Sequence, residues 1–275
     1  MNFWWSKTLE LLPLVSEWKI SQSILDIVLN DIANWTSAYQ DVEFVVFDTE
    51  TTGLGARTDE IIEIGAVIVK NNQIKHKDWS FKDYEYYISS PERFKEMDSF
   101  PYFIVPKSWY IPEKIVELTH ISMDKIIAWL GPNAPEWERS FENFPDAFNA
   151  FIDFIDGRPL VAHNANFDTK MFKIAFTLFQ NEIDLALNNP DHPLTKRKIA
   201  EFFNLDVIDT YSDAKKLLTI NPNLSHQNGV LSEFFWLPPQ KDLLHRAIYD
   251  VVFTSRNLFW LYEYAYNTYN YEIVN

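Results

Sequence analysis

The chain has 275 residues, of which 47% are hydrophobic and 16% aromatic, and this is enough for one globular domain with additional segments. It contains no cysteine, which excludes a disulfide framework, a thiolate metal site and a cysteine nucleophile. No apolar run approaches the roughly 20 residues of a membrane span, and charged side chains interrupt the apolar N-terminus. We therefore expect a mature cytoplasmic protein with no membrane partner.

The formal net charge of −15 bears on the class of ligand. A protein that holds a long duplex usually carries a basic stripe, and the densest basic runs here are KRK at 196–198 and KK at 215–216. Taken alone, the charge argues against a nucleic-acid ligand. A polyanionic substrate would need a short footprint, a bridging metal ion or a surface shared with a partner.

The first 40 residues differ from the rest of the chain. They are rich in Leu, Ile and Trp, and Leu25, Val28, Leu29 and Ile32 recur at helical spacing. A segment this short cannot bury a core of its own. We predict a helical N-terminal extension over residues 1–40 that packs on the main body or on another chain, followed by one main domain over residues 41–268.

The first part of the main domain predicts a meander of three strands. The apolar runs VEFVVFD, IIEIGAVIVK and DWSFKDYEYYIS are joined by short links such as the polar turn at 70–73. Residues 91–112 are dense in proline and aromatic residues without a clear period, which predicts a long surface loop. We expect Trp109 and Tyr110 in this loop to pack on their own domain; stacking on unpaired bases is the alternative.

The second part alternates helices and strands. Apolar residues at steps of four, three and four predict an amphipathic helix over 144–155, and short strands follow at 160–164 and 205–211. Residues 181–200 resemble an insertion with a polar, proline-containing turn, and a long helix is predicted from about 244 to 266. A meander followed by alternating helices and strands predicts an α/β domain with a mixed sheet covered by helices.

The first predicted strand, in EFVVFDTETTGL, ends on two carboxylates. Asp48 and Glu50 are two residues apart, so both project from the same face of the strand at its C-terminal end. Strand ends in open α/β sheets form ligand crevices, and adjacent carboxylates repel unless a cation or a proton relieves them. Oxygen ligands suit Mg²⁺ or Mn²⁺. From this pair alone, an acidic strand end exposed to water is an equally good interpretation.

Two later segments also place carboxylates next to apolar elements. In LVAHNANFDTKMF, Asp168 stands at a helix start, and a helix cap at Asn166 or Asp168 is the alternative interpretation. In LLHRAIYDVVF, His245 and Asp250 are five residues apart and do not share one face of an ideal helix. We therefore expect His245 at the helix entrance and Asp250 in the first turns. Each of these residues, taken singly, is more often an ordinary surface residue.

The three segments together resemble the motifs of the DEDDh, or DnaQ-like, 3′-to-5′ exonucleases, a family that includes the proofreading exonuclease of bacterial DNA polymerase III. The family's Asp-x-Glu motif is matched by Asp48 and Glu50, its His-Asn-x-x-Phe-Asp context by residues 163–168, and its His-x-Ala-x-x-Asp motif by residues 245–250. EIGAV at 63–67, ELTHIS at 117–122 and VIDTY at 207–211 also resemble family segments. The resemblance covers roughly residues 42–265.

The resemblance implies a ribonuclease H-like fold and a catalytic site with two Mg²⁺ ions, for which Mn²⁺ can substitute. It implies that Asp48, Glu50 and Asp250 bind the metal ions directly and that Asp168 helps to hold them, partly through water. His245 is implied to be the general base, a role that suits its ordinary pKa near 6.5.

The resemblance also implies a set of substrate contacts: Thr51, Thr52, Leu54, His120, Asn164 and Phe167. For His120 a structural, hydrogen-bonded role is the alternative, and we expect Phe167 in the core rather than stacked on a base.

The implied activity is release of nucleoside monophosphates from single-stranded 3′ ends, with DNA favoured over RNA. The alternatives are an RNA exonuclease of the RNase T or oligoribonuclease type, and a catalytically silent interaction module of the same fold. No polymerase segment is recognisable in the sequence, so a proofreading role would need a polymerase or another protein partner in trans.

Overall fold

The computed structural model describes residues 23–27, 43–55, 57–70, 98–131, 134–135, 139–218, 225–234 and 244–274, with side chains described up to residue 268. None of the helices in these ranges is long and apolar enough to cross a membrane. Most of the predicted extension over residues 1–40, and the predicted strand in DWSFKDYEYYIS, lie outside the described residues.

Within the described residues, one mixed sheet has the strand order β4-β3-β2-β1-β5-β6. Its strands are β1 (Glu43–Thr51), β2 (Ile61–Lys70), β3 (Ser99–Ile104), β4 (Arg139–Phe141), β5 (Leu160–Ala162) and β6 (Val207–Asp209). The β1–β2 and β2–β3 pairs are antiparallel, whereas β1–β5, β3–β4 and β5–β6 are parallel. The predicted mixed sheet is thus confirmed, and β1, β2 and β3 form its antiparallel meander. The strand that was predicted as the third of the meander lies outside the described residues.

Helices cover the sheet. They are α1 (Glu113–Thr119), α2 (Met123–Ala128), α3 (Phe144–Ile155), α4 (Ala165–Leu178), α5 (Gln180–Asn188), α6 (Lys196–Phe203), α7 (Thr210–Leu217), α8 (Asn228–Phe234) and α9 (Ala247–Val274). The predicted α/β class with flanking helices is confirmed.

The loop predicted over residues 91–112 was wrong in part, because this segment contains a strand. Residues 91–112 were expected to form a surface loop, but β3 lies inside this segment, with Phe100, Phe103 and Ile104 buried. Pro101, which has no N–H to donate, hid the strand pattern. It is tolerated because β4 pairs with β3 only from Tyr102 onward.

The pleat of β1 divides the core between two layers. Val45 and Phe47 join the cluster formed with α3, α4, α5 and α6, while Phe44 and Val46 join the cluster formed with α7, α8 and α9. Because side chains alternate along a strand, the residues that follow must alternate in the same way. Asp48 and Glu50 therefore face α9, and Thr49 faces α4.

Two predicted additions pack on this body. The helical turn at 24–27 buries Ile24 and Ile27 in the α9 layer, and the Ile24 N–H donates a hydrogen bond to Asp213 at 2.7 Å. The segment 181–200 contains α5, the polar turn that was predicted, and the start of α6, with Ile183 and Ile199 buried. The boundary between the extension and the main domain stays a prediction.

Candidate active site

A close approach between β2 and α9 brings the third motif over the first. Gly65 pairs with Asp48 across the β1–β2 ladder. A Cβ at Gly65 would lie 2.4 Å from the Ala247 carbonyl carbon and 2.4 Å from the Ile248 nitrogen, so only glycine leaves room for the helix backbone. The first turn of α9, which carries Asp250, therefore lies against the end of β1.

The result is a cluster of three carboxylates. One oxygen atom each of Asp48, Glu50 and Asp250 lies within 4.8 Å of the others, and the three side chains are partly buried. Burial raises the pKa values of Asp48 and Glu50 well above their ordinary range, and neighbouring carboxylates raise them further. Burial likewise raises the pKa of Asp250 to about 7, against the lowering effect of the His245 N–H.

Asp168 lies next to this cluster on the first turn of α4. Its side chain is 1% exposed, and its Oδ1 accepts a hydrogen bond from the Thr49 hydroxyl at 2.7 Å. Burial raises the pKa of Asp168 to about 7, although the Thr49 hydroxyl lowers it. Asn164, not Asp168, occupies the cap position of α4, so the helix-cap interpretation of Asp168 is wrong.

His245 lies two residues before the first residue of α9, as expected, in a left-handed conformation with φ of 67°. Its backbone N–H donates a 3.0 Å hydrogen bond to Oδ2 of Asp250. The side chain lines the cavity, where it is open to solvent on one side. Burial of its other side lowers the pKa of the imidazole, which favours the neutral form. The predicted placement of His245 at the helix entrance and of Asp250 in the first turn is confirmed.

The sequence analysis missed a further carboxylate under the cluster. Glu63 lies opposite Glu50 in the β1–β2 ladder and has no exposed surface. Arg246 compensates its charge, with Nη2–Oε1 and Nε–Oε2 distances of 3.1 and 3.2 Å, and the Ala247 N–H donates to Oε2 at 3.0 Å. Glu63 belongs to the EIGAV segment, and only the strand register shows that it opposes Glu50.

An open cavity of about 780 Å³ lies over these carboxylates. Nine residues singled out from the sequence line it: Asp48, Glu50, Thr51, Leu54, Asn164, Phe167, Asp168, His245 and Asp250. Phe167 also packs against the core, so its side chain contacts both the core and the cavity. None of the described residues that line the cavity is lysine or arginine.

Two predicted contact residues do not line the cavity. Thr52 is 8% exposed, and its hydroxyl accepts a hydrogen bond from the Glu60 N–H at 2.9 Å. His120 is exposed at the C-terminal end of α1 in a left-handed conformation, while its neighbour Thr119 does line the cavity. The Thr52 side chain is engaged in the turn with Glu60, and His120 ends α1.

One wall of the cavity was not anticipated from the sequence. Residues of α8 and the residue before it form this wall: Gln227, Asn228, Gly229, Val230 and Glu233. Asn228 is held by α9, because its amide donates to the Asp250 carbonyl at 3.1 Å and to the Thr254 hydroxyl at 3.0 Å. The only sequence signal here was an apolar run, which indicates burial and not a polar wall.

The donor set decides which metal ions fit. Clustered carboxylate oxygens, with no cysteine in the chain, are ligands for a hard divalent cation such as Mg²⁺ or Mn²⁺. Burial, and then the charges of the neighbouring carboxylates, raise the pKa values of Asp48 and Glu50, so a bound cation would favour their ionised forms. The residues present therefore fit the metal centre that the motifs imply.

Comparisons with known proteins show which family this chain belongs to and which solved structures share its fold. The model of the family described as "Exonuclease" matches residues 45–256, a range that runs from before Asp48 to after Asp250. Among solved structures, a 3′-exonuclease described in 3′-end specific recognition of a histone mRNA stem-loop aligns with a TM-score of 0.54 and 15% identity, over 83% of this chain and 84% of that one. The nuclease domain of 3′hExo, described as a DEDDh family member bound to rAMP, aligns with a TM-score of 0.52 and 14% identity, over 82% and 94%.

At these identities the structural likeness establishes the fold, which is the ribonuclease H-like α/β fold that was predicted. Fold and acidic site together define the class, a ribonuclease H-like nuclease domain. The chain belongs to the exonuclease family, in agreement with the resemblance read from the motifs.

Several curated relatives are replication proteins. A PolC-type DNA polymerase III of Clostridium perfringens is 34% identical over 152 residues, 54% of this chain and 8% of that protein. The corresponding protein of Halalkalibacterium halodurans is 31% identical over 220 residues, 80% of this chain and 11% of that protein. The DNA polymerase III epsilon subunit of Treponema pallidum is 32% identical over 152 residues, 55% of this chain and 54% of that protein. The chain thus spans a small part of the PolC-type polymerases and about half of the epsilon subunit.

Proposed function

We propose that this protein is a metal-dependent 3′-to-5′ exonuclease that releases nucleoside monophosphates from single-stranded ends, with DNA as its substrate. The observation that carries the proposal is the cluster of Asp48, Glu50 and Asp250, whose oxygen atoms lie within 4.8 Å at the base of an open cavity. His245, bonded through its backbone to Asp250, adds a group that can accept a proton at the same place.

Asp48, Glu50 and Asp250 would hold the divalent ions, and Asp168 would support them from α4. Two bound ions would supply activation of the attacking water and stabilisation of charge on the leaving 3′ oxygen. None of the described residues that line the cavity is lysine or arginine, so divalent ions held by the acidic cluster would balance most of the charge of the phosphate. We propose Mg²⁺ as the ion, with Mn²⁺ able to substitute.

His245 would take the proton from the attacking water at its imidazole. Burial lowers its pKa, so the neutral form that accepts a proton prevails at neutral pH. Its position before the helix, fixed by the N–H bond to Asp250, keeps the imidazole beside the cluster without making it part of the helix.

The terminal nucleotide would contact the cavity residues Thr51, Leu54, Asn164 and Phe167. Leu54 is 90% exposed at the rim and offers an apolar surface for a base or sugar. Thr52 would act indirectly, because its bonds to Glu60 hold the loop that carries Leu54. A substrate contact at His120 would have to lie outside the cavity, next to Thr119.

The names of the curated relatives support DNA as the substrate and a polymerase as the partner. One relative is a PolC-type DNA polymerase III, and another is the epsilon subunit of a DNA polymerase III. We propose that this chain acts together with a polymerase. A catalytically silent module is disfavoured because the four acidic side chains and His245 line one cavity.

The test is hydrolysis of 5′-labelled single-stranded DNA and RNA oligonucleotides of the same sequence in the presence of Mg²⁺. We expect a descending ladder with DNA, a slower one with RNA, and none after addition of a chelator. Asp48→Ala should abolish the ladder, whereas Asp124→Ala, at an exposed acidic position on α2 outside the cavity, should leave it unchanged. Internal cleavage products or activity in chelator would overturn the mechanism, and faster hydrolysis of RNA would overturn the choice of DNA.

A further inference from the structure

Two aromatic side chains outside the cavity are presented to solvent. Trp109 and Tyr110 are each 64% exposed, although the sequence analysis expected them to pack on their own domain. They belong to the turn at residues 106–110, which we call the aromatic tip. Trp and Tyr are enriched at binding interfaces, because each combines a large apolar face with a polar group.

Hydrogen bonds to the backbone hold the aromatic tip in place. The Trp109 N–H donates to the Pro106 carbonyl at 2.9 Å, which closes the turn. Glu60, 3% exposed, accepts hydrogen bonds from the N–H groups of Lys107 and Ser108, the latter at 2.9 Å. A buried carboxylate thus fixes the backbone that carries the two rings, so little ordering entropy would be lost when a ligand meets them.

The backbone of the aromatic tip is strained at Trp109. Its φ is 54°, a left-handed conformation that is rare for a bulky side chain. Such strain persists where surrounding contacts impose it, and it is concentrated at binding and catalytic sites. The hydrogen bonds of Glu60 hold the N–H groups of the two residues that precede Trp109.

The aromatic tip is connected to the active site by two short paths. The backbone N–H of Glu60 donates a hydrogen bond to the Thr52 hydroxyl, and the backbone carbonyl of Glu60 accepts one from the Thr52 N–H. Thr52 directly follows the cavity residue Thr51. Along the chain, α1 begins three residues after Tyr110 and contributes Ile115 to the cavity wall. Ile115 comes six positions after Trp109 in the chain. Even a fully extended chain therefore places the tip at most about 22 Å from that wall. This is the length of roughly six stacked nucleotides.

The chemistry of the aromatic tip suits bases and not phosphates. The one cation in the turn, Lys107, is engaged elsewhere: its ammonium pairs with Glu182 at 2.8 Å and donates to the Leu178 carbonyl at 2.9 Å. The faces of Trp109 and Tyr110 carry no charge. Base–aromatic stacking is the mode by which proteins hold single strands without reading their sequence.

We propose that Trp109 and Tyr110 form a stacking platform for the unpaired bases that lie upstream of the nucleotide in the active site. The platform rests on the proposed function and extends it, since it gives a protein without a basic stripe a way to hold a longer single strand. It would make affinity depend on strand length and only weakly on salt.

The test compares strand lengths. In the double variant Trp109→Ala/Tyr110→Ala, KM for a single-stranded DNA of about 20 nucleotides should rise about tenfold, with kcat nearly unchanged. The kcat/KM for a dinucleotide, which occupies the cavity alone, should stay as in the wild type. Equal losses on both substrates, or no loss on either, would overturn the platform.

Three further variants separate stacking from other effects. Trp109→Phe keeps an aromatic face and should retain most of the long-strand affinity, whereas Trp109→Leu keeps apolar bulk and should lose it. Tyr266→Ala removes an aromatic side chain that is 38% exposed on α9 and should change nothing. If Trp109→Leu behaves like Trp109→Phe, the tip contributes apolar area and not stacking, and the proposal is wrong.

The two proposals fail separately. If the wild type hydrolyses neither substrate, the proposed exonuclease function fails, and the platform is then tested by fluorescence anisotropy of the labelled long strand. Weaker binding by the double variant than by the wild type would support the platform even then. Equal binding would overturn it.

Discussion

Glu63 and Arg246 form a buried ion pair beneath the acidic cluster, with a distance of 3.1 Å between Nη2 and Oε1 and side-chain exposures of 0% and 9%. The pair joins β2 to the residue before α9, and the Ala247 N–H adds a bond to the same carboxylate. Because Asp250 lies on the first turn of that helix, Glu63 helps to position one carboxylate of the cluster. Arg246 in turn neutralises the charge of Glu63, which would otherwise repel Asp48, Glu50 and Asp250.

Removing one partner of this pair should be more damaging than removing both charges. We expect Arg246→Met to lower the free energy of unfolding by about 3–5 kcal/mol, because it leaves Glu63 as an unpaired buried charge. Glu63→Gln combined with Arg246→Met should cost clearly less than the sum of the single changes. Urea unfolding of the three variants measures this, and strictly additive losses would show that the pair is not coupled.

The close approach at Gly65 gives a matched pair of glycine variants. In Gly65→Ala the new methyl group meets the backbone of Ala247 and Ile248 at 2.4 Å, so we expect a loss of about 1–3 kcal/mol of stability and a large loss of nuclease activity as Asp250 is displaced. Gly131→Ala, where a Cβ has no heavy atom within 4 Å, should leave activity unchanged. Full activity in Gly65→Ala would show that the helix can shift without disturbing the cluster.

Metal removal should be visible in thermal stability. Burial and the surrounding carboxylates raise the pKa of Asp48, which means that its charged form destabilises the metal-free protein. We expect Mg²⁺ at about 100 times its Kd to add about 2.7 kcal/mol to the stability of the wild type. Asp48→Asn should raise Tm in chelator and lose most of the gain from Mg²⁺. A wild-type Tm that is the same in Mg²⁺ and in chelator would contradict a metal site at the cluster.

Asp213 should make stability depend on pH away from the active site. Burial raises its pKa from 3.8 to about 6, although the Ile24 N–H lowers it. Because the pKa is raised in the folded state, the protonated Asp213 carboxyl contributes to stability. This contribution is fully present below about pH 4 and is lost as the pH rises through about 6. Asp213→Asn keeps an oxygen acceptor for Ile24 and removes the charge.

The variant should therefore be no more stable than the wild type at low pH and up to about 3 kcal/mol more stable at neutral pH. Urea unfolding at a series of pH values measures the difference between the two proteins. A difference that stays constant over this range would show that the Asp213 carboxyl does not titrate as inferred.

The sequence predicted the first two strands, the amphipathic helix over 144–155 and the positions of His245 and Asp250, because each rests on a local pattern of period or spacing. It failed at β3, where Pro101 breaks the local pattern and pairing with β2 compensates. Strand formation at that position depends on a partner strand that is distant in sequence, and local propensity cannot show it.

The same distinction applies to the site. Asp48, Glu50 and Asp168 belong to motifs, but the contribution of Glu63 depends on strand register, and that of Gly65 depends on the contact with α9. The exposure of the aromatic tip was predicted wrongly because composition does not show which loop side chains the domain has room to bury. Tertiary contacts, and not local sequence, decide each of these three features.

The most direct test of the central claim is the product released from a single-stranded DNA labelled at its 3′-terminal nucleotide, in Mg²⁺, by the wild type and by Asp48→Asn. The proposed site predicts that the wild type releases labelled nucleoside monophosphate as its first product and that the variant releases none. Labelled products longer than one nucleotide, or the same release by Asp48→Asn, would contradict it.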